Sequence, residues 1–172
     1  RALAEEFGYA VAPTATLEQA GERVSSTRIR AALADADFDS AERLLGRPFV
    51  MAGRVQHGQK LGRQLDAPTA NIALHRIRSP LHGVYAVNVS GGGLSDAPGV
   101  ANVGVKPTFG ESLEATLEVH VLEGAPDLYG ERLTVRFRHK LRDEQKFPSL
   151  DALKEGIATD KANAWAWLAD HG

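Results

Sequence analysis

The sequence predicts a mainly β protein with flanking helices, on three observations. From Phe49 onward, short apolar segments alternate with glycine-rich turns, the pattern of successive antiparallel strands. Ahead of them, residues 1–46 are rich in alanine and mostly helical in pattern. Behind them, helical spacing returns only at the C-terminal end. Several short strands in a row close into a sandwich or a barrel.

The elements follow in order. Ala31-Ala32-Leu33-Ala34 and Ala41-Glu42-Arg43-Leu44-Leu45 read as helix, stopped by Gly46 and Pro48, which places a boundary at 46. Strands are expected at 50–56, over Tyr85-Ala86-Val87-Asn88-Val89, and at 100–103, 115–122 and 132–138. The stretch from Ser90 to Gly99, with Gly91-Gly92-Gly93 inside it, is expected to be a mobile hairpin loop. Ser149 is suited to cap a last helix, in which Leu150, Leu153, Ile157, Ala164 and Leu168 recur at helical spacing and lay one face on the strands.

The 172 residues suffice for one sizeable core, or for one domain with an appendage, and the second arrangement is expected. Twenty Lys plus Arg against 22 Asp plus Glu leave no global field to recruit nucleic acid or an anionic membrane, so local basic loops must do any phosphate binding. With no cysteine, disulfides, thiolate metal sites and thiol catalysis are excluded. No apolar run approaches a transmembrane span, and a cytoplasmic location is expected. The opening residue, Arg1, points to a fragment or a processed product.

The chemistry concentrates in Gly58-Gln59-Lys60-Leu61-Gly62-Arg63 and the Pro68-Thr69-Ala70-Asn71 that follows. In an extended strand, residues two apart share a face, so Thr69 and Asn71 present a hydroxyl and an amide oxygen side by side. Oxygen donors suit Mg²⁺, and a neutral pair implies that a nucleotide brings the negative charge. Read alone, Pro-Thr-Ala-Asn is equally the start of an ordinary strand. Gly53, Gly58 and Lys60 do not make a Walker loop, because Leu61 stands where a Ser or Thr would bind the metal. In Leu117-Glu118-Val119-His120-Val121, the apolar residues take one face and leave Glu118 and His120 on the other. Arg136-Phe137-Arg138-His139-Lys140-Leu141-Arg142 reads as a half-exposed strand with solvated charges rather than a nucleic-acid platform, since only 6% of residues are aromatic.

From about Gly46 to the C-terminus, the chain resembles the riboflavin kinase module. The resemblance rests on Leu45-Gly46-Arg47-Pro48-Phe49, the 58–71 run, Gly83-Val84-Tyr85, Asn102-Val103-Gly104-Val105-Lys106-Pro107-Thr108-Phe109, Leu117-Glu118-Val119-His120, Asp127-Leu128-Tyr129-Gly130 and Lys146-Phe147-Pro148-Ser149, in the family's order and spacing. It implies a six-stranded antiparallel Greek-key β-barrel with a C-terminal helix, occupying 47–172. It further implies riboflavin and ATP as substrates, FMN and ADP as products, and Mg²⁺ as cofactor. Thr69 and Asn71 would hold the metal, Lys60 and Arg63 with the amides near Gly58 and Gly62 would surround the phosphates, and Leu128 and Tyr129 would border the adenine. Glu118 would be the catalytic base, with His120 a rival, while Arg142, Glu144, Phe147 and Pro148 would border the isoalloxazine ring. The chain departs from the family in carrying Asp66 and Ala67 before the Pro-Thr-Ala-Asn run, where glycine and a large apolar residue are usual.

Val24-Ser25-Ser26-Thr27-Arg28-Ile29-Arg30 resembles the signature near the end of the adenylyltransferase domain of bacterial bifunctional FAD synthetases, and also suits a capped helix start. Histidines at 57, 75, 82, 120, 139 and 171 form no His-x-x-His pair of the kind those nucleotidyltransferases use. The expectation is therefore a C-terminal part, with 1–46 the remnant of an adenylyltransferase domain plus linker, making FMN but not FAD. The alternatives are a non-catalytic barrel that binds flavin or nucleotide, and FMN adenylyl transfer by a longer parent chain.

Overall fold

The computed structural model describes residues 2–12, 15–19, 21–56, 69–74, 79–107, 113–124 and 126–171. Three helices, α1 (Ala2–Phe7), α2 (Ser26–Ala34) and α3 (Phe38–Leu45), precede the barrel, with a two-residue hairpin of β1 (Glu18–Gln19) and β2 (Glu22–Arg23) between the first two. The strands β3 (Val50–Gln56), β4 (Ala70–Ala73), β5 (Gly83–Gly91), β6 (Leu94–Pro107), β7 (Leu113–Val121) and β8 (Arg132–Arg142) follow, and α4 (Leu150–His171) ends the chain.

Six strands close an antiparallel barrel in the order β3-β4-β7-β6-β5-β8. β5, β6 and β7 run as consecutive hairpins, and β8 returns to lie beside β5, which is the Greek-key connection. The inward positions are filled by large apolar side chains, among them Met51, Ile72, Val87, Leu117, Val119, Leu133 and Val135, all at most 4% exposed. The barrel is therefore a packed core, and a ligand site has to be on its outside. α3 adds Phe38 to this core, edge-on to Tyr85 and stacked with Phe137 at centroid distances of 5.9 and 6.2 Å. Asp37 caps α3, its Oδ1 accepting from the Ser40 amide at 2.9 Å, and Gly46 ends it in the left-handed conformation.

β5 is buried on both faces because α4 lies across its outside, where Ala164 and Leu168 pack on Ala86. Ser149 caps this helix, accepting from the Ala152 amide at 3.1 Å, as expected.

Four expectations are corrected. The 90–99 stretch is strand except for a two-residue turn, Gly92-Gly93, closed by the pair Gly91 and Leu94. Positive φ at both turn glycines matches the twist of the hairpin, so the glycine run tightens the connection instead of lengthening it. The described residues between Phe7 and Ser26 are not helical. Leu150 is 63% exposed and takes no part in the buried face of α4. β8 is half-exposed as expected, but two of its charges are held within the protein rather than solvated: Arg138 donates to Asn88 and to the His171 carbonyl and lies over Trp167, and Arg142 is bound to Asp160.

Candidate active site

Strand pairing lines up one row of residues across five strands of the barrel's outer face. Asn71 of β4 stands opposite Glu118 of β7, Glu118 opposite Asn102 of β6, Asn102 opposite Val84 of β5, and Val84 opposite Arg142 of β8. Lateral neighbours in such a row are close enough for their side chains to act together. Thr69, two residues before Asn71, is exposed on the same side, while Ala70 between them is buried in the core. On β7 the alternation holds likewise: Leu117, Val119 and Val121 point inward, and Glu118 and His120 outward.

From Glu118 to Arg142 the row forms one wall of a cavity of about 300 Å³. The opposite wall is Phe147 together with Leu153, Ile157 and Asp160 of α4, and Glu144 and Gln145 line it between the two. Polar groups thus concentrate on the strand side, and Phe147, Leu153 and Ile157 give the other side an apolar patch beside Asp160 and Lys161, a shape for a flat aromatic ligand carrying a hydroxylated tail.

Two contacts hold the walls together. Arg142 forks onto Asp160, its Nε and Nη2 donating to the two carboxylate oxygens at 2.8 and 2.7 Å, and Nη1 donates to the Asp143 carbonyl at 2.9 Å. Asp160 is only 5% exposed, and this paired, planar geometry is what allows a charge to be buried there. The guanidinium also lies 5.6 Å from the Phe147 ring centre. Next along the chain, the Lys140 ammonium stands 2.6 Å from the Asp143 carboxylate. That hydrogen bond holds Asp143 below the usual carboxylate range and Lys140 above its ordinary value. Both pairs anchor the segment 143–149 that crosses the cavity.

Glu144 reaches back onto β6. Its carboxylate lies against Gly104, where a β-carbon would overlap it, and its Oε1 accepts from Asn102 Nδ2 at 3.4 Å. Asn102 Oδ1 is buried and has no hydrogen-bond partner. Such an orphan acceptor costs about 1–3 kcal/mol, so native structures rarely carry one without a use for it.

Of the residues singled out in the sequence, Thr69, Glu118, Arg142, Glu144 and Phe147 line the cavity, and Asn71 stands beside Glu118 in the row. Pro148 immediately precedes the α4 cap and is not a lining residue. Leu128 belongs to the core, whereas Tyr129 is 55% exposed, and neither lines the cavity. Their turn adjoins the end of β3 through Gly130, whose amide donates to the Val55 carbonyl at 3.1 Å. Gly58, Lys60, Gly62 and Arg63, with Asp66 and Ala67, lie outside the described residues. Asn102 and Asp160 went unassigned in the sequence. Asn102 stood inside a quoted motif without a role, and Asp160 is one acid among many on a helix until the fold brings Arg142 to it.

The donor set at Thr69 and Asn71 is hydroxyl and amide oxygen beside the Glu118 carboxylate, which suits a hard divalent cation. Among the described residues, no group of three or more His, Cys, Asp or Glu is placed to hold a metal unaided. Nor, among them, is any helix long and apolar enough to cross a membrane.

Comparison with known proteins agrees with the geometry. The model of the riboflavin kinase family matches residues 45–168. The bifunctional riboflavin kinase/FMN adenylyltransferase of Pseudomonas fluorescens is 59% identical over 162 residues, 94% of this chain and 52% of that protein. The Escherichia coli K12 protein of the same name is 50% identical over 159 residues, 92% of this chain and 50% of its own length. The chain thus spans about half the length of these relatives. A crystal structure described as a macrolide-efflux protein from Streptococcus pneumoniae superposes with TM-score 0.76 at 34% identity, over 96% of this chain and 54% of its own. Riboflavin kinase from Trypanosoma brucei superposes with TM-score 0.50 at 29% identity, over 71% of this chain and 80% of its own. With the family model spanning most of the sequence and the barrel built as its motifs imply, the chain belongs to the riboflavin kinase family.

Proposed function

We propose that this chain transfers the γ-phosphoryl group of ATP to the 5′-hydroxyl of riboflavin, giving FMN and ADP. The observation that carries the reading is the placement of Glu118, between Asn71 and Asn102 on the wall of a cavity faced by Phe147 and α4. The isoalloxazine ring lies against Phe147, Ile157 and Arg142, and the ribityl tail runs along the polar row. Glu118 accepts the proton of the terminal hydroxyl as its oxygen bonds to the γ-phosphorus and the bond from that phosphorus to the β-bridging oxygen breaks, releasing ADP. Thr69 and Asn71 would hold Mg²⁺, which when bound neutralises charge on the phosphates. Lys60 and Arg63, with the backbone near Gly58 and Gly62, surround those phosphates, and Leu128 and Tyr129 border the adenine.

The assignment of domains belongs to the same reading: 47–172 is the kinase domain, and 1–46 is the end of an adenylyltransferase domain plus linker. The length of the curated relatives supports it. The longer protein would carry out both steps, in the cytoplasm, and this chain only the first.

Incubation with riboflavin, ATP and Mg²⁺, followed by chromatographic separation of the flavins, is expected to yield FMN without FAD. Glu118→Gln is expected to lower kcat by about 10²–10⁴-fold while leaving ADP binding in place. Formation of FAD would overturn the division of labour, and undiminished turnover by the variant would remove Glu118 from the chemistry.

A further inference from the structure

Resting on the kinase reading above, we infer that Asn102 is a specificity-determining residue that recognises a secondary hydroxyl of the substrate's ribityl chain. Asn102 is the immediate lateral neighbour of Glu118 in the row, one strand further from Asn71 and one nearer the aromatic end of the cavity marked by Arg142. A polyol chain whose terminal hydroxyl meets Glu118 must therefore pass Asn102 before it joins a ring held at Phe147.

The side chain is prepared for such a contact. Its amide nitrogen stands 3.4 Å from the Glu144 carboxylate, a long and weak hydrogen bond that turns the nitrogen toward Glu144 and leaves the amide able to rotate. Its Oδ1 is left as an acceptor without a donor, closed off until the amide turns toward a hydroxyl in the cavity that Asn102 lines. Glu144 itself fits closely against Gly104, two residues along on the same face of β6, so the carboxylate and the amide form one unit on the strand. A hydroxyl donated to Oδ1 completes the amide's hydrogen bonding. A chain of methylenes leaves it incomplete, and a site whose buried polar group stays unpaired discriminates strongly against the analogue that lacks the hydroxyl.

The test compares two acceptors on one enzyme preparation. One is riboflavin, and the other is the flavin whose N10 side chain is a plain pentyl chain ending in the same primary hydroxyl. The ratio of their kcat/KM values does not depend on how much of the preparation is folded, which keeps the result readable if a variant is unstable. The native chain is expected to prefer riboflavin by at least ~10-fold. Asn102→Ala, and Asn102→Thr as a strand-forming alternative with a shorter side chain, are expected to lose most of that preference by falling on riboflavin while nearly keeping their rate on the analogue. Equal losses on both acceptors would make Asn102 merely structural and overturn the inference, as would a preference that survives both substitutions or is absent from the native chain. If the native chain phosphorylates neither acceptor, the kinase reading fails first and the inference falls with it.

Discussion

Two residues separate the chemistry of the site from the stability of the fold. Gly104 has ordinary backbone geometry, so what it supplies is room for the Glu144 carboxylate. Gly104→Ala is therefore expected to push a flexible side chain aside at little cost in stability, with a thermal midpoint within a few degrees of the native one, while the KM for riboflavin rises several-fold. Asp160 is the opposite case. Removing it leaves the Arg142 guanidinium partly buried without its partner, and Asp160→Ala is expected to cost about 2–4 kcal/mol in urea unfolding as well as affinity for flavin. Retention of both would show that Arg142 finds another anion. The sequence carried Glu118 and Thr69 plainly, because strand alternation alone assigns them a face. It could not assign Asp160, since the residue's importance is a contact between a helix and a strand 18 positions apart.

At the level of elements, α4 is both roof and wall. Gly156 lies in its interior, where alanine would ordinarily add about 1 kcal/mol of helix stability. A β-carbon there meets the Phe147 ring, so Gly156→Ala is expected to gain little or nothing in stability and to weaken flavin binding as the ring shifts out of the cavity wall. Loss of fluorescence quenching in a riboflavin titration would report that shift. Ser149→Ala removes the cap and is expected to cost about 1 kcal/mol without changing the register of the barrel. The strands of this sequence were legible wherever apolar residues alternate. β6 was the exception, because Gly91-Gly92-Gly93 and Pro98 together read as loop. Pro98 is tolerated in it because it sits at the end of the β6–β7 ladder, whose register begins at Gly99: its carbonyl still accepts from the Leu122 amide at 2.9 Å, and only a terminal N–H is missing.

For the molecule as a whole, the core does not stop where the helical pattern of the sequence stops. Leu33, Phe38 and Ala41 are buried in the same cluster as the barrel interior, although all three precede the glycine that ends α3. Phe38→Ala is expected to cost about 3–5 kcal/mol, and removal of residues 1–46 to lower the thermal midpoint sharply, since Tyr85 and Phe137 would face water. An unchanged midpoint after truncation would mean that the barrel seals itself. Sequence patterns locate elements by local periodicity, whereas this seam is made by aromatic residues 47 and 99 positions away from Phe38, which no local window contains.

The outward row and the inward core share the same strands and differ only in odd and even positions, and this makes β7 a counting device. Losing a single residue ahead of Glu118 would invert the strand, turning Glu118 and His120 into the packed interior and Leu117 and Val119 into the cavity wall. Losing two would shorten the strand and keep every residue on its side. Length variation within this strand is therefore expected to be accepted in pairs and refused in singles, so that descendants of this barrel inherit the parity of β7 more strictly than its length.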